Sequence, residues 1–75
     1  MTKWEYQFLT AARAWWGGTW KVRWINGDEL PRWQKGPSLY EYCNRMGEQG
    51  WEVIGLSEAP VRRENFRVVL KRPKS

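Results

Sequence analysis

The residue types that carry most enzyme chemistry are scarce in this chain. Its 75 residues include no histidine and one cysteine, Cys43. Histidine is the usual general base near neutral pH and the commonest metal ligand, and a cysteine nucleophile needs such a partner for activation. Zinc needs more thiolate or imidazole ligands than the chain offers. Since no glycine motif for phosphate binding occurs either, we expect no enzyme activity, no cofactor and no metal site.

The aromatic residues are the abundant groups that could bind a partner. Seven tryptophans, three tyrosines and two phenylalanines are more rings than one helix and one sheet face can bury. We therefore expect some rings to be exposed or to lie in an interface between subunits, where tryptophan is enriched. The candidate partner-binding residues are Arg13, Trp15, Trp16, Trp20 and Trp24. The alternative is that these rings fill the core or cover the second face of a sheet.

The net charge of +5 is concentrated near the end of the chain. Residues 1–61 carry seven basic and seven acidic side chains, so the excess lies in residues 62–75. The candidate contacts to an anion or a nucleic acid are Arg62, Arg63, Arg67, Lys71 and Arg72. A basic strand can meet nucleic acid or an acidic partner. Cations also protect the edge of a sheet against aggregation, and we favour that simpler explanation.

One helix is predicted in the middle of the chain. Ser38 and Glu41 have the spacing of a capping box, which starts a helix. The apolar residues that follow recur at the helical spacing: Leu39, Tyr42, Cys43 and Met46. Gly47 and Gly50 are both candidates for the left-handed residue that ends it. The lone Cys43 falls on the apolar stripe, so we expect a buried thiol rather than a disulfide.

Four segments have the patterns of strands. They are residues 3–10, 19–25, 51–57 and 65–72. Asn26-Gly27 is a strong signal for a tight hairpin turn, whereas the apolar residues on both faces of 51–57 indicate a central or doubly covered strand. The order of elements predicts an α+β fold, ββαββ, in which an antiparallel four-stranded sheet packs on one helix within a single domain, residues 1–75.

The motifs together resemble a known family. The segments are W-E-Y at residues 4–6, L-x-E-Y-C-N-x-x-G-x-x-G-W-E-V-I at residues 39–54, and L-K-R-P at residues 70–73. They resemble the small bacterial domain of unknown function 4177 family over nearly the whole chain. The resemblance implies a fold and a bacterial or phage origin, and it supplies no activity, catalytic residue or cofactor. The tryptophan-rich segment at residues 12–20 departs from the family's pattern.

Two binding functions follow from these features. We expect a non-catalytic module that binds a protein partner or itself, with a homodimer as one form. The alternative is a protein that binds single-stranded nucleic acid by stacking bases on tryptophan and pairing phosphates with cations. The alternation in residues 19–25 argues against it, because Trp20, Val22 and Trp24 would face away from Lys21 and Arg23. We also expect no membrane segment and a cytoplasmic location.

Overall fold

The helix begins where the sequence predicts. The computed structural model describes residues 1–14, 17–58 and 65–74, and its helix α1 spans Leu39–Glu48. The Ser38 hydroxyl accepts a hydrogen bond from the Glu41 N–H at 3.1 Å, and the Glu41 carboxylate accepts one from the Ser38 N–H at 3.0 Å. Both halves of the predicted capping box are present.

The helix ends at a glycine with a left-handed conformation. Gly50 has a φ of +92°. The Gly50 N–H donates to the Gly47 carbonyl and the Trp51 N–H donates to the Met46 carbonyl, each at 3.0 Å. These two hydrogen bonds form a Schellman motif, in which glycine avoids the steric cost of a Cβ. Of the two predicted candidates, Gly50 is therefore the residue that turns the chain out of the helix.

Five strands form one antiparallel sheet. They are β1 (Lys3–Ala14), β2 (Gly17–Ile25), β3 (Asp28–Glu29), β4 (Glu52–Glu58) and β5 (Asn65–Lys74). The order across the sheet is β3-β2-β1-β5-β4. The α+β class is confirmed, but the prediction of four strands is wrong. The Asn26-Gly27 turn, with positive φ at both residues, returns the chain far enough for β3 to pair with the end of β2.

Three further details differ from the predicted strands. β1 continues to Ala14, four residues beyond the predicted end at residue 10. β5 continues through Pro73, which pairs with Trp4 at the sheet's end. β4 is an edge strand, so the prediction of a central place for it is wrong. The strand is not covered on both faces either, since its apolar residues Val53, Ile54 and Leu56 are all exposed.

The helix covers one side of the sheet, which we call the covered face. The buried core there joins three strands to the helix through Leu9, Ala11, Val22, Leu39, Val68 and Leu70. The rest of the predicted helical stripe, Tyr42, Cys43 and Met46, packs against this core. Trp51, just before β4, also packs against it. The apolar stripe of the helix is therefore confirmed position by position.

The opposite side of the sheet, which we call the open face, carries the aromatic residues of β1. Trp4, Tyr6 and Phe8 are 41%, 48% and 57% exposed, whereas the next residue, Leu9, is 2% exposed. The alternation of a half-buried strand is therefore present in β1, and the set that packs under the helix includes Gln7 and Leu9 rather than the aromatic rings. The rings stand on the side that no described residue of α1 covers.

Candidate functional site

Two rings at the centre of the open face stand side by side. The ring centroids of Tyr6 and Phe8 are 6.5 Å apart and their planes differ by 31°. The backbone beneath Phe8 is held from the neighbouring hairpin: its N–H donates to Asn26 Oδ1 at 2.9 Å, and its carbonyl accepts from the Asn26 N–H at 2.7 Å. Because β1 lies between β2 and β5, the two rings project from the central strand of the sheet.

Two cations of β5 lie beside this row. Residues that are directly opposed on neighbouring strands share a face, and Lys71 is opposed to Tyr6 while Arg67 is opposed to Thr10. The Lys71 Nζ lies 4.1 Å from the centroid of the Trp4 ring, a cation–π distance. The open face therefore holds exposed aromatic rings and cations together, and both come from adjacent strands.

One carboxylate of β4 lies opposite Lys71. Glu52 on β4 is opposed to Lys71 and is exposed. It therefore lies on the open face and partly offsets the charge of Lys71. A polyanion bound beside Lys71 would therefore face the Glu52 carboxylate.

A bulge in β2 brings Trp24 and Arg23 to the open face. Opposite β1, Thr10 pairs with Trp24 and Ala11 pairs with Val22, so Arg23 is an extra residue between them. The extra residue shifts the alternation, and Trp24 lies opposite Thr10 on the open face instead of beside Val22. The prediction that Trp24 shares a face with Trp20 and Val22 is therefore wrong.

Arg23 closes this second aromatic cluster. Its guanidinium carbon lies 4.3 Å from the Trp24 ring centroid and 4.8 Å from the Trp33 ring centroid. Its Nε donates to the Glu29 carboxylate at 2.7 Å. Because the Arg23 guanidinium already contacts two rings and a carboxylate, few of its donors are free to bind a partner. The cluster therefore stabilises the hairpin and the loop after it.

Trp20 and Arg13 lie on the covered face. The Trp20 ring packs edge-on against Phe66 with centroids 4.4 Å apart and contributes to the border of the core. The Arg13 guanidinium lies 4.9 Å from the Trp20 ring centroid. Trp20 is half-buried, so the structure separates it from the open face. Trp15 and Trp16, the other candidates in this group, lie outside the described residues.

The basic candidates of β5 also divide between the two faces. Arg72 lies on the covered face, where it pairs with the Glu5 carboxylate. Its guanidinium lies 4.5 Å from the Trp51 ring centroid and donates to the Gln49 carbonyl at 3.1 Å. These contacts tie the end of the helix to β5. Arg67 and Lys71 remain on the open face, and Arg62 and Arg63 lie outside the described residues.

The titratable groups with shifted pKa values belong to the helix. Tyr42 donates its hydroxyl hydrogen to the Gln7 side-chain oxygen, and the Gln7 amide contacts the Met46 sulfur at 3.4 Å. Burial raises the pKa of Tyr42 and that of the Cys43 thiol. The backbone N–H of Ser38 holds the pKa of the Glu41 carboxyl below its usual value. These groups pack or cap the helix, and they lie away from the open face.

Sequence reasoning missed Tyr6 and Phe8 as binding residues. A signal in the sequence could have pointed to them. The other alternate residues of β1, Gln7, Leu9 and Ala11, include two apolar side chains small enough to pack under one helix. Burial of that set leaves the large rings of the strand on the opposite face. Glu52 was also missed, because only the pairing of β4 with β5 places it beside Lys71.

Comparison with known proteins finds no match. The chain matches no protein-family model, no curated protein and no solved structure. The resemblance to the domain of unknown function 4177 family therefore stays a prediction.

Two searches for particular features were also negative. Within residues 1–14, 17–58 and 65–74, no three or more Cys, Asp or Glu side chains lie together as a metal site would require. No helix in the same part of the chain has the length and apolar character needed to cross a membrane.

Proposed function

We propose that this protein is a non-catalytic module that binds single-stranded nucleic acid on the open face of its sheet. The observation that carries the proposal is the placement of Tyr6 and Phe8, exposed and side by side, next to Lys71 and Arg67. Bases stack on aromatic rings, and phosphates pair with Lys and Arg. A sheet surface can bind nucleic acid in this way when both groups occupy one face.

Base stacking and phosphate pairing require rings and cations on the same face of the sheet. β1 and β5 together provide this arrangement, whereas β2 alone does not. On β2, residues 20–22 place Trp20 and Val22 towards the helix, away from Lys21. On β1 and β5, the exposed rings and the cations share the open face. The net charge of +5 adds a long-range attraction for a polyanion.

A protein-interaction or self-associating module is the second candidate. The exposed ring of Phe8 and the exposed side chain of Ile54 favour it, since apolar surface of this kind is often an interface. If two open faces packed together, however, each copy would bring its Arg67 and Lys71 into the same interface. Like charges across an interface disfavour association, so we rank the homodimer below nucleic acid.

The test is a titration of fluorescently labelled oligothymidylate, followed by anisotropy at low and at moderate salt. We expect saturable binding that weakens as salt rises. Two charge variants locate the site: Glu52→Gln on the open face and Glu48→Gln at the exposed end of α1. Both raise the net charge by one, and we expect only Glu52→Gln to tighten binding, by about two- to fivefold.

Three results would contradict the proposal. The first is an absence of binding to the oligonucleotide. The second is an equal gain for Glu52→Gln and Glu48→Gln, which would indicate general charge attraction. The third is a salt-resistant dimer, measured by sedimentation, that Phe8→Ser converts to a monomer; this would favour self-association through the open face.

A further inference from the structure

We infer that the open face binds an extended single strand with one base on Tyr6 and the next on Phe8, while Lys71 and Arg67 contact the phosphates on either side. This inference rests on the proposed function and adds the arrangement of the strand and the role of each residue. It also implies that duplex is excluded from the rings and that the base sequence matters little.

The spacing of the rings selects an extended strand. Tyr6 and Phe8 are two residues apart on β1, a step of roughly 6.6–6.8 Å along a strand, and their centroids are 6.5 Å apart. In a duplex, successive bases of one strand repeat every 3.4 Å or so. Adjacent bases can therefore sit on the two rings only if the strand is drawn out to about twice that repeat, which a duplex does not permit.

The cations have a matching spacing. Along β5, Lys71 lies opposite Tyr6, Val69 opposite Phe8 and Arg67 opposite Thr10. The two cations are four residue steps apart along the strand, or about 13 Å. That distance is two of the extended steps, so phosphates flanking a pair of bases on the two rings could meet Lys71 at one end and Arg67 at the other.

Trp4 has a different role from the other two rings. The Lys71 Nζ lies over the Trp4 ring at 4.1 Å, so that face of the indole is already occupied. A cation–π contact restrains a flexible lysine side chain. Trp4 is therefore a positioning residue that holds Lys71 beside Tyr6, and the two stacking residues are Tyr6 and Phe8.

DNA and RNA single strands would bind this site by the same chemistry. Stacking and phosphate pairing are common to both, and the described open face offers no arrangement that selects the ribose hydroxyl. The experiment therefore uses oligothymidylate and oligouridylate as separate arms, with a duplex of the same length as a third.

The experiment measures dissociation constants and their salt dependence for matched variants of the full chain. We expect Tyr6→Ser and Phe8→Ser each to weaken binding of either oligonucleotide about 5- to 150-fold with little change in the salt slope. The control is Tyr40→Ser, an exposed tyrosine on α1, which should bind as the wild type does. Thermal melting verifies that each variant folds.

The phosphate contacts are read from the salt slope. Each phosphate neutralised on a single strand contributes about 0.7 to the slope of log K against log salt. We expect Lys71→Gln and Arg67→Gln each to lower the slope by about that amount. Trp4→Leu should also weaken the Lys71 contact, so its slope should fall towards that of Lys71→Gln.

The possible results separate this inference from the function on which it rests. If the oligonucleotides bind but Tyr6→Ser and Phe8→Ser leave binding unchanged, the arrangement is wrong, whereas the proposed function stands if Glu52→Gln still tightens binding more than Glu48→Gln does. Equal binding of the duplex, or an unchanged slope for both cation variants, would also overturn the arrangement. If none of the oligonucleotides binds, the function and the inference fail together.

Discussion

The two faces of the sheet are built from alternate residues of the same strands, and one face is buried while the other is exposed. On β1, Gln7 and Leu9 pack under the helix, whereas Tyr6 and Phe8, which have larger apolar groups, stay exposed. The short helix offers a narrow apolar stripe, which accepts Leu and Val side chains from three strands. Fit to the helix, rather than ring size or hydrophobicity, therefore decides which face of β1 is buried.

The largest expected difference lies between two adjacent residues. Leu9→Ala removes buried methyl groups from the core and should lower the free energy of unfolding by about 2–5 kcal/mol. Phe8→Ala alters an exposed ring and should change it by about 0.5 kcal/mol. Urea denaturation of both variants measures the difference. Similar losses would mean that the open face is packed against something in solution.

A buried polar residue distinguishes the covered face further. Gln7 is 9% exposed and accepts a hydrogen bond from Tyr42. Gln7→Leu should cost about 1–3 kcal/mol, because the Tyr42 hydroxyl loses its acceptor. Adding Tyr42→Phe removes the stranded hydroxyl and should recover part of the loss. A double-mutant cycle with purely additive effects would show that the pair is not coupled.

The alkylation rate of a thiol should also differ between the two faces of the sheet. Partial burial between α1 and the sheet raises the pKa of Cys43, and the thiolate is the reactive form. At mildly alkaline pH, Cys43 should therefore react several-fold more slowly with iodoacetamide than a cysteine on the open face. The comparison is Ser57→Cys, opposed to Arg67, in a Cys43→Ser background. Equal rates would contradict the burial of Cys43.

The smallest expected effect is a pH dependence of the protein's stability that arises at the start of α1, the helix that packs on the covered face. The Ser38 N–H lowers the folded-state pKa of Glu41 below its unfolded value. Its contribution to stability is therefore present above the unfolded pKa and is lost as the pH falls through the folded pKa. Relative to wild type, Glu41→Gln should lose less stability between neutral pH and acidic pH. Thermal melts across that range measure it, and parallel curves would contradict the assignment.

Local features of the fold could be predicted from the sequence because they depend on nearby residues. The capping box at Ser38, the left-handed Gly50 and the Asn26-Gly27 turn each follow from side chains within a few positions. The helical stripe and the strand alternation follow from periodicity. These predictions placed the helix within its observed bounds and gave the α+β class.

The features that could not be predicted depend on pairing between distant strands. The bulge at Arg23 moves Trp24 to the open face, and nothing in the alternation of residues 19–25 marks it. Only the partner strand reveals it. The edge position of β4 likewise follows from β5 lying between β4 and β1. Without these pairings, the candidate tryptophans could not be separated from the rings of β1.

The pairing of the first and last strands has a kinetic consequence. Glu5 is opposed to Arg72, and the two strands match over ten residue pairs from Lys3 to Ala12. Such contacts close a loop of nearly the whole chain, and non-local pairing of this kind slows folding. On the ribosome, β1 cannot pair with β5 until β5 has left the exit tunnel, so Leu9 and Ala11 lack their β5 partners, Val68 and Phe66, until then. We therefore expect the hairpin of β1 and β2 to form first, with the sheet completed once β5 has emerged.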